Sequence, residues 1–310
     1  MAPNPARLDS RTRAAQYRDV SGPALIHVVV SGLATGCIYA LVALSLVIVY
    51  NATRTVNFAQ GEMLMVSAFT AWSAQQAGLP LVPALVAGAA AGGLLALVIE
   101  RTIIRRAVSA THWDVLIITL GLSLMLRAGA GLVWTNEELP FPALFSNRPF
   151  AIGPVRLAPV SLGVIAASLI LMAALVGLFR ATRFGRAMRA VAQNQRAARL
   201  MGIGVERVYA GAWVLAALVG GVAGVLIAPL TFLSTSMGLI AINGFTAAVL
   251  GGFGSLPGAV AGGMLLGVIE NLAPLYPPTG IRYSVPFLVM IAILVARPRG
   301  LFGRVERRRV

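Results

Sequence analysis

The sequence predicts an all-α polytopic membrane protein with about 8–9 transmembrane helices, some of them discontinuous or re-entrant. Three observations lead there. Mean hydropathy is +0.85 and only 11% of residues are charged, which is membrane-class composition. Several apolar runs approach the ~20 residues that a helix needs to cross the hydrocarbon. The basic residues cluster between and after those runs, as the positive-inside rule requires, and form no nucleic-acid footprint.

Residues 1–21 form a polar tail, and residues 1–20 lack the apolar core of a signal peptide. The first span, from about Pro23 to Tyr50, carries Ser31, Gly32 and Gly36, small residues that mark a helix–helix contact. Asn51, Arg54, Asn57, Gln60 and Glu62 then precede a run from Met63 to Ala77 that is short for a crossing. This predicts a broken or partly re-entrant helix, with an ordinary interfacial loop as the alternative. Residues 80–100 form a span that ends in Glu100-Arg101, with Arg105 and Arg106 beyond it.

Residues 113–134 span next and contain Arg127. An arginine inside a span costs about 2.5–3.5 kcal/mol on insertion scales, so it must be paired, face water or snorkel to the interface. Residues 135–157 are a Pro-rich loop whose charges cancel (Glu137, Glu138, Arg148, Arg156), which assigns it to the outer side. Residues 158–179 return, an arginine-rich island follows, and the next span runs from about Val208 to Pro229. The apolar stretch 237–273 is too long for one span. The hinge residues Gly251, Gly252, Gly254 and Pro257 divide it, and its first half is short. Two interrupted segments in corresponding places point to a transport path. A last span covers 283–296, and residues 304–310 are a basic tail, leaving 22–303 as one membrane domain.

With nine crossings and an outer N-terminus, inner segments hold 17 arginines and outer segments 7, with Arg127 inside a span. The island and the C-terminus are therefore assigned to the cytoplasm. If residues 57–77 dip in and return, there are eight crossings and the N-terminal tail lies inside.

All 25 basic residues are arginine. Without lysine the chain cannot form the P-loop that grips nucleotide phosphates, so any ATP hydrolysis must lie on a partner chain. Cys37 is the only cysteine, which excludes an intrachain disulfide and a cysteine metal site. His27 and His112 are read as packing or interface residues. No catalytic triad, metal cluster or phosphate loop is present, so the reading is a transport subunit rather than an enzyme, with no cofactor or metal.

The island from Thr182 to Gly211 organises the rest. On a helical wheel Arg186, Arg189, Gln193 and Arg196 fall on one stripe, and Phe184, Val191 and Ala198 fall opposite. Ala197, Ala198, Gly202 and Gly204 would let another surface approach. A short amphipathic helix of this kind reads as a docking element; the alternative is a loop that only fixes topology. For the path, the polar residues at hinges or span ends are Asn57, Gln60, Glu62 and Asn243, with Glu100 and Glu270 second. They either meet the solute or cap broken helices.

Five blocks in order resemble one family. They are Gly36-x-x-Tyr39-Ala40-Leu41 with Asn57-Phe58-Ala59-x-Gly61-Glu62; Thr119-Leu120-Gly121-Leu122-Ser123; Gly185-Arg186-Ala187-x-Arg189-Ala190 through Ala197-Ala198 and Gly202-Ile203; the run Phe245 to Ser255; and Arg297-Pro298-x-Gly300-Leu301-Phe302-Gly303. The chain from about Gly32 to Gly303 resembles the permease subunits of ATP-binding-cassette importers for branched-chain amino acids, in particular the H-type of the two permeases. Gln60 stands where that family usually has histidine, which keeps a hydrogen-bonding group but not a titratable one.

The resemblance implies a bacterial cytoplasmic-membrane importer. It would contain a second permease of different sequence, two ATP-binding subunits and an extracytoplasmic substrate-binding protein. It also implies that loop 180–207 couples to the ATPase through Gly185, Arg186, Arg189, Ala190, Gln193, Arg196, Ala197, Ala198 and Gly202. Urea, short-chain amides and sugars are the alternative substrates; an ATP-independent carrier or channel is the competing class.

Overall fold

The computed structural model describes residues 22–107, 112–142, 150–152, 155–275 and 284–303. The two tails and the side chains of His112, Arg148, Arg156 and Arg282 lie outside the described residues.

The first helix, α1 (Gly22–Thr53), is the central post of the bundle. Its residues from Ala34 to Ala52 are almost wholly buried, and α1 packs against most of the other long helices. In lipid, helices associate through close van der Waals contact rather than hydrophobic expulsion from water, so small residues at crossings matter most. Here α1 meets α10 (Leu256–Leu272) along Gly32, Gly36, Gly263 and Gly267. A Cβ added at Gly36 would lie 2.8 Å from the Met264 Cα, so the two backbones are nearly in contact.

The short run after the first break is one continuous helix, α2 (Gln60–Gln76). Its 17 residues give about 25 Å of rise, less than the ~30 Å hydrocarbon thickness. It does not dip and return. Its first turn lies near Ser45 and Leu46 of α1, inside the bundle from that helix's end at Thr53, and near its far end Trp134 Nε1 donates to Ser73 Oγ (2.7 Å) and the Trp134 ring stacks on Phe69.

Next come α3 (Leu81–Ile99), prolonged by a π-turn Glu100–Ile104 and a 3-10 turn Arg105–Ala107, and α4 (His112–Val133). A short antiparallel hairpin, β1 (Phe150–Ile152) with β2 (Val155–Leu157), lies in the Pro-rich loop. It is a small exception to the all-helical expectation, and α5 (Pro159–Ala181) follows it.

The island forms two helices rather than one, α6 (Arg183–Gln193) and α7 (Gln195–Leu200). Asn194 separates them in an extended conformation, and its side chain caps α7 by accepting from Ala197 N (3.0 Å). The Asx-type hydrogen bond competes with helix continuation, so the single helix expected there is broken.

Beyond the island, α8 (Val205–Thr231) crosses the bundle. A break at 232–234 leads to a 3-10 turn Thr235–Leu239, α9 (Ile240–Gly251), α10 and finally α11 (Val285–Ala296). Among the described residues, six helical stretches are long and apolar enough to cross a membrane, and α2, α9 with its 3-10 turn, and α11 are shorter.

Four segments meet at one end of the bundle. Arg54 Nη2 donates to Ala192 O of α6 (2.6 Å), and Asn51 Nδ2 donates to Gly254 O (3.0 Å). Leu301 N and Phe302 N donate to Leu250 O and Gly251 O. The charge count assigned three of them, at Arg54, 180–207 and 297–309, to the cytoplasmic side; the 251–258 turn has no charge to count. At the other end Leu139 and Leu233 exchange two backbone hydrogen bonds, tying the 135–142 loop to the break after α8.

Candidate functional site

The two interrupted segments, distant in sequence, converge in space. The first turn of α2 packs on the 3-10 turn before α9 through Gly61 and Gly238, whose close approach leaves no room for a side chain at Gly61. Beside this contact lies a cavity of about 290 Å³. Its walls are mostly apolar: Leu46, Val56, Phe58, Leu120, Leu239, Ala241, Ile242, Phe245 and Met290, with Ser123 and Gly238. Asn57, Glu62 and Arg127 supply its principal polar groups.

Glu62 and Arg127 form an ion pair, Arg127 Nη2 to Glu62 Oε1 at 2.7 Å. Glu62 sits in the first turn of α2, where the helix dipole favours negative charge. Its side chain is 3% exposed and that of Arg127 34%. The pairing answers the expectation that an arginine inside a span finds a partner or water. Sequence reading named both residues separately and did not join them; one opposite charge in each of two spans was the available signal.

Of the other path candidates, Asn57 alone reaches the cavity. Asn57 Oδ1 accepts from Ala59 N (3.0 Å), closing the turn into α2. Gln60 is fully buried and donates to Ala216 O of α8 (3.0 Å), a backbone-satisfying role that needs no titratable group. Asn243 donates to Tyr39 Oη on α1 (2.8 Å). Glu100 is buried at the π-turn and paired with Arg105 (3.2 Å), and Glu270 is buried in α10. Gln60, Asn243, Glu100 and Glu270 do not line the cavity. A second cavity of about 370 Å³, between α3, α5 and α8, has entirely apolar walls.

The turn at 251–258 is built by its glycines. Gly252 and Gly254 have φ of 102° and 99°, a region open to glycine at little cost. Ser255 caps α10, accepting from Gly258 N (3.1 Å), and Pro257 occupies its first turn. Phe253 lies edge-on to Tyr50 at 4.6 Å.

On the island, Thr182 caps α6 by accepting from Gly185 N (3.1 Å). Arg186, Arg189, Gln193, Arg196, Ala197 and Gly202 are exposed, and Ala190 is half-buried. Gly185 and Ala198 are buried against their own chain, so those two small residues serve internal packing rather than an open face. Arg189 Nη1 donates to Phe179 O, which commits it to the end of α5. Sequence reading passed over Leu200 and Met201. They stand 88% and 81% exposed at the end of α7, a large apolar tip among arginines.

The family model described as "Branched-chain amino acid transport system / permease component" matches residues 28–294. The chain belongs to this permease family. The permease is 32% identical over 302 residues to the high-affinity branched-chain amino acid transport system permease protein LivH of Escherichia coli K12, covering 90% of this chain and 96% of LivH. It is 31% identical to BraD of Pseudomonas aeruginosa, covering 91% and 96%. A shorter similarity, 34% identity over 126 residues and 37% of this chain, links it to the xylose transport system permease protein XylH of Escherichia coli K12. Family membership and the six long apolar helices make it a multi-pass membrane transport protein.

Proposed function

We propose that this permease forms the path for branched-chain amino acids in a binding-protein-dependent importer, driven by ATP hydrolysis on separate subunits. The cavity between the two interrupted helices carries this reading: its volume of about 290 Å³ is close to the lower end of small-molecule sites. Its walls are aliphatic and aromatic, with one carboxylate–guanidinium pair, and leucine, isoleucine and valine have matching parts.

The family relatives support the assembly. The partners are a second permease, two ATP-binding subunits that dock on the 180–207 loop, and an extracytoplasmic binding protein. Closure of the ATPases moves α6 and α7. The bond from Arg54 to Ala192 O and the attachment of α6 to α5 carry that motion toward the cavity.

The test is uptake of radiolabelled leucine by vesicles that hold the permease with its partner subunits, with and without the binding protein. Binding-protein-dependent leucine uptake is expected. Xylose uptake in its place would move the substrate to the class named by the shorter similarity.

A further inference from the structure

We propose that Glu62 and Arg127 are the groups that read the solute's two charges, Glu62 taking its ammonium and Arg127 its carboxylate. This rests on the proposed import of branched-chain amino acids. Arg127 Nη2 meets Glu62 Oε1 and no second prong of the fork is engaged by Glu62. Arg127 Nε is buried without a hydrogen-bond partner. A guanidinium is shaped to hold a carboxylate by two parallel donors; Glu62 engages one, and Arg127 turns to bring its buried, unpartnered Nε to an arriving carboxylate.

Both charged groups line the cavity, and the surrounding side chains of Leu46, Leu120, Ile242, Phe245 and Met290 suit an aliphatic chain. When the cavity is empty, the two groups neutralise each other, which avoids an unpaired charge inside the membrane. When a zwitterion enters, each exchanges its partner for one end of the solute and neutrality is kept. A monoacid or a monoamine leaves one charge unpaired, and an uncharged sugar offers neither group an ionic partner.

The assembled complex in nanodiscs, without nucleotide or binding protein, is titrated with leucine, isocaproate (no ammonium) and isoamylamine (no carboxylate). Wild type should bind leucine at least about tenfold more tightly than either half-molecule. Glu62→Gln should weaken leucine about tenfold and tighten isocaproate, which no longer strands a carboxylate; Arg127→Met should weaken leucine similarly and tighten isoamylamine, which no longer strands a guanidinium. Gly238→Ala is a second variant that keeps both charges, its new Cβ lying 2.5 Å from the Glu62 Oε1 position. It should weaken leucine and spare isocaproate. Binding of the analogue that is not weakened also shows that each variant is folded.

Equal losses for all three ligands, or no loss for leucine, would overturn the assignment. Import of leucine by a wild-type complex that shows no leucine binding would overturn this pair's role alone. A complex that neither binds nor imports leucine would overturn the proposed function as well.

Discussion

Arg127 on α4 donates to Glu62 on the first turn of α2 at 2.7 Å, joining residues 65 apart in sequence. Removing one member of a buried pair strands the other, at ~3–5 kcal/mol when both are deeply buried. Arg127 is 34% exposed, so water screens part of that cost and Arg127→Met should destabilise by about 1–2 kcal/mol. Thermal unfolding in detergent measures this. The double variant with Glu62→Gln should recover part of the loss; an equal or larger loss would remove the stabilising role.

The apolar tip of α7 separates docking from folding. Leu200→Asp and Met201→Asp place charge on side chains that touch little of their own chain. They should abolish co-purification of the ATPase while leaving the permease's melting temperature unchanged. Ala198→Asp puts charge at a buried position and should lower the melting temperature itself. ATPase binding that survives both tip substitutions would place the docking contact elsewhere.

The crossing of α1 and α10 tolerates no added bulk at its centre. Gly267 packs directly on Gly36, backbone against backbone. Gly267→Val should cost upward of about 3 kcal/mol, beyond ordinary overpacking, because no flexible side chain can yield. Gly121 faces open space, and Gly121→Ala should be neutral or slightly stabilising. Expression level and melting temperature of the two variants report the contrast.

Much of this fold is legible because lipid imposes a simple rule: long apolar runs become helices. The spans predicted at 80–100, 113–134 and 158–179 correspond to Leu81–Ile99, His112–Val133 and Pro159–Ala181. The breaks before Gln60 and around 251–258 are legible from polar residues and glycines with no place inside a span. That the first of these packs on the 3-10 turn at Gly238, through Gly61, is not, since nothing local encodes which break meets which. The same holds for the Glu62–Arg127 pair. In the island, wheel geometry separated arginine from apolar residues correctly at Val191 and Ala198. It could not foresee Asn194 breaking the helix, or show that Ala198 packs inward while Leu200 and Met201 project outward.

Arg54 has φ of 59°, a conformation that costs a non-glycine residue about 1 kcal/mol. It also ties the end of α1 to Ala192 O. Arg54→Gly should relieve the backbone and cut the tie. Stability should hold, ATP hydrolysis should continue, and leucine uptake per ATP should fall about fivefold if this tie carries the coupling free energy, which is typically ~1–3 kcal/mol. Unchanged stoichiometry would remove Arg54 from the coupling route.

The central claim is that the cavity beside Glu62 and Arg127 lies on a path whose access is switched by the ATPases. Cys37 is the only cysteine, so a Cys37→Ala background lets Ser123→Cys report from the cavity wall alone. The measurement is its labelling by a membrane-impermeant maleimide from each side, in nucleotide-free and vanadate-trapped complexes. The predicted result is that the accessible side changes on trapping, with at least about a tenfold change in rate, and that leucine slows labelling. Identical labelling in both states, unaffected by leucine, would contradict the account.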